Sequence, residues 1–357
     1  MNVLTWIMLA FSVLAGVDRI FGGKLGLGKE FEKGFQLLGD LCLTMLGLLT
    51  IAPLIAQWLS PVFEGFYSVT GIDPSIITSS LLANDMGAAT LAVQIGKDEN
   101  IALFNGLIVS SMMGGTIAFT LPFAMTSVDP RHHDSLFFGI LCGVVTVPVG
   151  CFVAGLMCGI SVGALLLDLL PLILFAAIVA VGLVFCRRLC VKIFRAFAII
   201  IKALITVGLI LGLVEFLTGI RLIEGTASME ESAMICFNAA AILTGAFPLL
   251  FLISKLLKPV MGWVSRKMGM NEASVLGLLS SLATSITTFE TIDKMDEKGV
   301  CVNGAFMVAA AFALADHLAF TLAFDASYVG AMLAGKLISG VTAIVLTFLL
   351  YCRTEKK

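Results

Sequence analysis

The chain of 357 residues is 59% apolar and only 13% charged, with a net charge of −2 and a mean hydropathy of +1.06. Soluble domains carry roughly 25% charged residues, so a fold solvated by water is excluded, and a slightly acidic chain without a basic tract has no electrostatic footprint for nucleic acid. The solvent this sequence expects is a lipid bilayer.

The first apolar stretch, residues 3 to 21, has no Lys or Arg ahead of it. It lacks the positive n-region of a cleavable signal peptide and reads as a retained first helix. Further apolar segments follow at 35 to 60, 75 to 95, 101 to 126, 135 to 159, 162 to 186, 198 to 219, 233 to 257, 273 to 292, 301 to 325 and 327 to 352. About twenty such residues cross a hydrocarbon core of ~30 Å. The third and ninth segments differ from the rest. They are short and polar at their centres, with Asn84-Asp85 in one and Thr284-Ser285-Ile286-Thr287-Thr288 in the other, which a lipid-facing span does not tolerate. The nine cysteines lie mostly within apolar runs, and Cys186 and Cys190 have no metal-site partners; cysteine reads as a small apolar filler.

Sliding the sequence along itself by 198 positions aligns the two unusual segments and gives 14 identities over positions 32 to 106. Gly47 meets Gly245, Pro61-Val62 meets Pro259-Val260, Asp98-Glu99 meets Asp296-Glu297 and Asn105-Gly106 meets Asn303-Gly304. Basic residues near span ends stay cytoplasmic, which lets loop charge fix the orientation. If all eleven segments cross, the two sides carry 9 and 11 basic residues; if segments three and nine return to the face they entered from, the counts become 18 and 2. The cytoplasmic set then includes Arg131, Arg187, Lys258, Lys267, Lys294 and the tail from Arg353, and only Lys97 and Arg221 lie outside.

The expected fold is therefore an all-α integral membrane protein, an inverted-topology repeat of transmembrane helices with two re-entrant hairpins. Nine crossings place the N-terminus outside and the C-terminus in the cytoplasm. The expected division is a first membrane repeat over 1–160, a linking helix and cytoplasmic loop over 161–195, and a second, inverted repeat over 196–357. Inverted repeats with interrupted segments at the midplane are characteristic of secondary transporters.

The candidate chemistry lies at those interruptions. Asp85 stands at the centre of the first hairpin beside Asn84, where a carboxylate costs roughly 2.5–3.5 kcal/mol; it reads as a counter-charge for a cationic solute, the alternative being that Asn84 or Asp85 caps the second hairpin arm at Met86. Asp316 and His317 lie deep in the tenth segment, and Lys336 is about 13 Å into the last by helical rise; all three are expected at the solute site, the alternatives being a buried Asp316–Lys336 ion pair and, for Lys336, snorkelling to the interface. Ser111, within Ser110-Ser111 and Gly114-Gly115-Thr116, offers hydroxyls or close helix packing, and Thr284 and Ser285 offer hydroxyls at the second hairpin. Asn105 and Asn303 are expected to cap the helices after the hairpins. Asp168, Asp40, Glu215 and Glu290, towards segment ends, are expected to be solvated. No His-Glu-x-x-His and no Gly-rich phosphate loop is present, so neither an enzyme nor a cofactor is expected.

Val17-Asp18-Arg19-Ile20, Leu81-Leu82-Ala83-Asn84-Asp85-Met86-Gly87, Ser111-Met112-Met113-Gly114, Ala311-Phe312-Ala313-Leu314-Ala315-Asp316-His317-Leu318 and Gly335-Lys336-Leu337-Ile338-Ser339-Gly340-Val341-Thr342 occur in order along the chain. In these motifs it resembles the ethanolamine-utilisation permease family of bacterial inner-membrane proteins. The resemblance implies uptake of ethanolamine, with the lipid bilayer as the other partner and a homo-oligomer left open. The second hairpin departs from the family in reading Ala283-Thr284-Ser285 where an Asn-rich tip is expected. Ethanolamine is almost wholly an ammonium at neutral pH, and an inside-negative potential favours its entry by ~2.3 kcal/mol per 100 mV. The competing readings are an ion-coupled carrier of another small polar solute and a non-transporting sensor or scaffold for ethanolamine catabolism.

Overall fold

The computed structural model describes residues 3–354, and among them there are helices and no strand. The side chains of Arg187 and Lys258 and of the tail from Arg353, which enter the charge count, lie outside the described residues. Among the described residues eight helices are long and apolar enough to cross a membrane: α1 (Val3–Ile20), α2 (Leu27–Thr70), α5 (Glu99–Ala124), α6 (Pro130–Met157), α7 (Val162–Phe185), α8 (Arg188–Thr218), α9 (Met229–Leu257) and α14 (Ala326–Tyr351). Between them lie shorter helices: α3 (Ser75–Leu81) and α4 (Ala88–Ile95), α10 (Glu272–Ala283) and α11 (Ser285–Glu290), and α12 (Glu297–Ala310) and α13 (Asp316–Phe324).

Small residues let these helices approach backbone to backbone, which is how helices associate where lipid supplies no hydrophobic drive. A Cβ on Gly47 would sit 1.7 Å from the Ile205 carbonyl oxygen, and one on Gly245, 198 positions on, would sit 1.9 Å from that of Met8. The two glycines thus do one job, the first bringing α2 onto α8 and the second bringing α9 onto α1. Gly139 does the same for α6 against α12, 2.0 Å from the Cys301 oxygen.

The two short segments each close on themselves. Asp73 Oδ2 accepts from the backbone N–H of Lys97 (2.7 Å) and Asp98 (3.1 Å), joining the ends of the α3–α4 segment. In the second half Asn271 donates its backbone N–H to Asp296 Oδ1 (3.0 Å) and its amide to the Lys294 carbonyl (2.9 Å). Asp73 and Asn271, and Asp98 and Asp296, are 198 positions apart.

Four sequence expectations change here. The tenth segment is not one helix: α12 stops at Ala310, and Phe312 adopts φ 60°, a left-handed conformation rare for a bulky residue. The freed backbone is satisfied by the second short segment, since Phe312 N–H donates to Ser281 O (3.0 Å) and Leu314 N–H to Leu282 O (2.9 Å). The fourth segment is helical but π-wound over Asn105–Gly114 and Thr116–Thr120, a geometry that often marks functional sites. Asn105 and Asn303 do not cap helices; Asp98 caps α5 by accepting from Ile101 N–H, while Asn303 donates to the carbonyls of Ser274 and Gly299. Asp168 is not solvated but buried, one oxygen accepting from the Asn105 amide (3.2 Å), because its helix turn packs inward at Leu169 ahead of Pro171.

Candidate functional site

The interruption between Leu82 and Gly87 turns Asn84 inward and leaves Asp85 at its edge. Gly87, with φ 84°, allows the turn into α4. Gly114 makes the seat for it, since a Cβ there would meet the Leu82 carbonyl oxygen at 1.9 Å. Asn84 is fully buried and reaches α13, donating to Thr321 Oγ1 (3.3 Å) and to the His317 carbonyl (3.5 Å). Its own Oδ1 accepts from the Asp85 N–H (2.9 Å). α4 starts without a side-chain cap bond, so the capping alternative for Asp85 falls away.

Lys336 of α14 is fully buried and does not snorkel. Its Nζ donates to the Ser111 carbonyl (2.6 Å) and meets His317 Nδ1 (3.0 Å), and among the described residues it forms no ion pair with Asp316. An ammonium only donates, so with Lys336 charged Nδ1 is the acceptor and the proton sits on Nε2, which lies 3.9 Å from Asp85 Oδ1. A polar chain therefore runs from the Ser111 carbonyl through Lys336 and His317 towards Asp85.

Asp85, Asp316, His317 and Thr284 share the wall of one cavity of about 540 Å³, with Asp40 and Thr287 on the same wall and Phe119 and Phe312 among the apolar remainder. Phe312 rests against Phe119 edge-on and against the His317 ring. A wider depression of about 610 Å³, lined by Glu30, Lys33 and Gln36, shares Asp40, Thr284 and Thr287 with it, so the two adjoin.

Of the eight predicted site residues, four reach this wall. Asn84 and Lys336 stand behind it, each holding a wall residue in place. The Ser111 hydroxyl is spent on the Ile108 carbonyl (2.8 Å), and Ser110 and Thr116 likewise bond carbonyls one turn back. Close packing, rather than hydroxyl supply, accounts for most of that small-residue run. Ser285 is buried with no hydrogen-bond partner for its hydroxyl, and Thr284 caps α11. Sequence reasoning missed Asp40 and Phe312 on the wall. Asp40 looks like any carboxylate near a span end, and Phe312 sits in an alanine-rich run without a helix breaker.

At the exposed base of the second short segment, Arg131 (2.7 Å) and His132 (2.9 Å) both contact Asp293 Oδ1. The Arg131 guanidinium, and after it His132, holds that carboxyl below its ordinary value.

No solved structure matches the chain. The family model described as "Ethanolamine utilisation protein, EutH" matches residues 1–350. A Listeria monocytogenes protein named "Probable ethanolamine permease EutH" is 38% identical over 356 residues, covering 100% of this chain and 95% of the relative. An Escherichia coli protein of the same name is 35% identical over 98% of this chain and 95% of its own length. A Bacillus subtilis relative, "Uncharacterized protein YxeR", is 34% identical over 96% of this chain and 92% of its own length. With a match of this extent, the chain belongs to the EutH family of ethanolamine utilisation proteins.

Proposed function

We propose that this protein is a membrane transporter for ethanolamine uptake, in which Asp85 and Asp316 hold the ammonium and the hydroxyls of Thr284 and Thr287 meet its alcohol. The carrying observation is a cavity with three carboxylates, Asp40, Asp85 and Asp316, on its wall beside a lysine whose ammonium is turned to Ser111 and His317. A pocket that is largely apolar and negatively charged selects a small cation over an anion or a neutral solute. The names of the Listeria and Escherichia relatives agree with that chemistry. The cavity is several times larger than a four-heavy-atom solute needs, and its walls therefore close around the solute during alternating access.

The proposed architecture is an inverted repeat, 1–160 and 196–357 joined by 161–195, with nine crossings and two re-entrant hairpins. Eight long apolar helices plus the interrupted α12–α13 supply nine candidates. Hydrogen bonds between the ends of each short segment favour entry and exit on one face. In the bacterial inner membrane the basic loops then put the N-terminus outside and the C-terminus inside, and the depression beside Lys33 opens to the cytoplasm.

Labelled ethanolamine offered to proteoliposomes tests the function. Saturable uptake, competed by other small primary amines and not by amino acids, is expected; flux no greater than in protein-free vesicles overturns the reading.

A further inference from the structure

We propose that Asp168, Asn105 and Ser75 form a binding site for a desolvated monovalent cation, Na⁺, at the base of the first short segment and apart from the solute cavity. Asp168 of α7 is 3% exposed and Asn105 of α5 is fully buried. The Asn105 amide nitrogen lies 3.2 Å from Asp168 Oδ1 and 3.0 Å from the Ser75 hydroxyl at the start of α3. Beyond these contacts two buried oxygens are orphans, since neither Asp168 Oδ2 nor Asn105 Oδ1 has a hydrogen-bond partner.

The neighbouring carboxylate sharpens the contrast. Asp73, also buried, has both oxygens filled: Oδ1 accepts from the Ser75 N–H and hydroxyl, and Oδ2 from the backbone N–H of Lys97 and Asp98. Its charge is spread over local backbone dipoles. Asp168 receives one amide N–H and, among the described residues, no ion pair; the Lys97 ammonium is directed to Glu64 at the surface. A buried charge persists when it is paired or coordinates a metal, and buried acceptor oxygens left without a donor call for a cation or an added proton.

The donor set selects the ion. All available ligands are oxygens, which excludes the softer transition metals. A single uncompensated carboxylate balances one positive charge, whereas Ca²⁺ takes six to eight oxygens and Mg²⁺ keeps several waters in octahedral geometry. The ligands come from α3, α5 and α7, so the ion would tie the base of the segment carrying Asp85 to two spans. Asn303 Oδ1 is likewise without a partner, but its amide donates to the backbone carbonyls of Ser274 and Gly299 and, among the described residues, to no carboxylate.

The proposal is independent of the transported solute, and so is its test. Purified protein in nanodiscs is titrated with ²²Na⁺. Saturable binding displaced by NaCl, and not by choline chloride at equal concentration, is expected, with affinity reduced roughly tenfold or more in Asp168→Asn. Asn105→Ala, expected to weaken binding in the same direction, serves if Asp168→Asn does not fold. Asp85→Asn is expected to bind as the unaltered protein does. Absence of saturable ²²Na⁺ binding, equal affinity in Asp168→Asn and Asn105→Ala, or loss of binding in Asp85→Asn would each overturn the proposal. A thermal midpoint that follows pH but not NaCl would also overturn it, by identifying a proton as the occupant.

Discussion

Replacing Asp85 by Asn separates charge from shape at the cavity wall. His317 Nε2 stands 3.9 Å from Asp85 Oδ1, outside hydrogen-bond range, and the bond from Asn84 uses the Asp85 backbone N–H. The substitution therefore breaks no structural bond, and its cost falls on the bound cation. Removing one partner of a buried ion pair costs about 3–5 kcal/mol. The Asp85 side chain is 18% exposed and Asp316 remains on the same wall, which together lower the expectation to roughly 2–3 kcal/mol, or about 30- to 150-fold in KM. Initial rates in proteoliposomes at about pH 6 are the assay, since the freely diffusing neutral amine is then only about one part in ten thousand. Asp85→Asn combined with Asp316→Asn is expected to abolish saturable uptake. A KM for Asp85→Asn within about threefold of the unaltered protein, under 1 kcal/mol, would refute the reasoning.

Lys336→Met and His317→Leu should be non-additive, with a coupling of about 0.5–3 kcal/mol in thermal stability, whereas Lys336→Met and Asp316→Asn should add; the reverse pattern would restore a Lys336–Asp316 pair. Gly114→Ala drives a methyl into the Leu82 carbonyl and should destabilise by roughly 1–3 kcal/mol, read as a lowered unfolding midpoint in detergent, while Gly39→Ala, with nothing nearby, should leave the midpoint unchanged. Single cysteines at Lys267 and Lys294 should be protected from an impermeant maleimide in intact cells and one at Lys97 should react; labelling Lys267 and Lys294 from opposite faces would remove the second hairpin.

Much of this arrangement is legible in the chain because lipid leaves few options. Apolar length gave the spans, and polar centres at Asn84-Asp85 and Thr284-Ser285 marked the short segments. The loss at 311–315 has a physical cause: alanine is the best helix former, so Ala309-Ala310-Ala311-Phe312-Ala313 announces a continuous helix. What overrides propensity is tertiary, two carbonyls of the second short segment that take the Phe312 and Leu314 N–H groups. The π-winding of α5 is equally hidden, since Gly114 and Gly115 permit it without requiring it. Lys336 was visible as a buried charge, but its partner was not. Helical spacing favours neither Asp316 nor His317, and only the break that aims the His317 ring at Lys336 decides between them.

The hydrogen bonds around the cavity also fall on one side of it. Asn84 ties the first tip to α13 through Thr321 and the His317 carbonyl, the α12–α13 break is bonded to the second short segment, and Lys336 joins α14 to α5 and α13. These elements form one polar-bonded body. The facing wall from α2 and α9 presents Leu37, Leu41, Leu43 and Phe247, with Asp40 its one carboxylate, and among the described residues the Thr44 hydroxyl bonds only carbonyls of its own helix. Gly87 meets that wall through the Leu48 side chain, an apolar contact. Sliding apolar surfaces past one another forfeits dispersion contacts that re-form one position on, whereas separating the tips from α13 would strand buried donors and acceptors at about 1–3 kcal/mol each. On the proposed transport reading the seam between these bodies is where the cavity opens, with Asp85 and Asp316 on its polar-bonded side and Asp40 on the other.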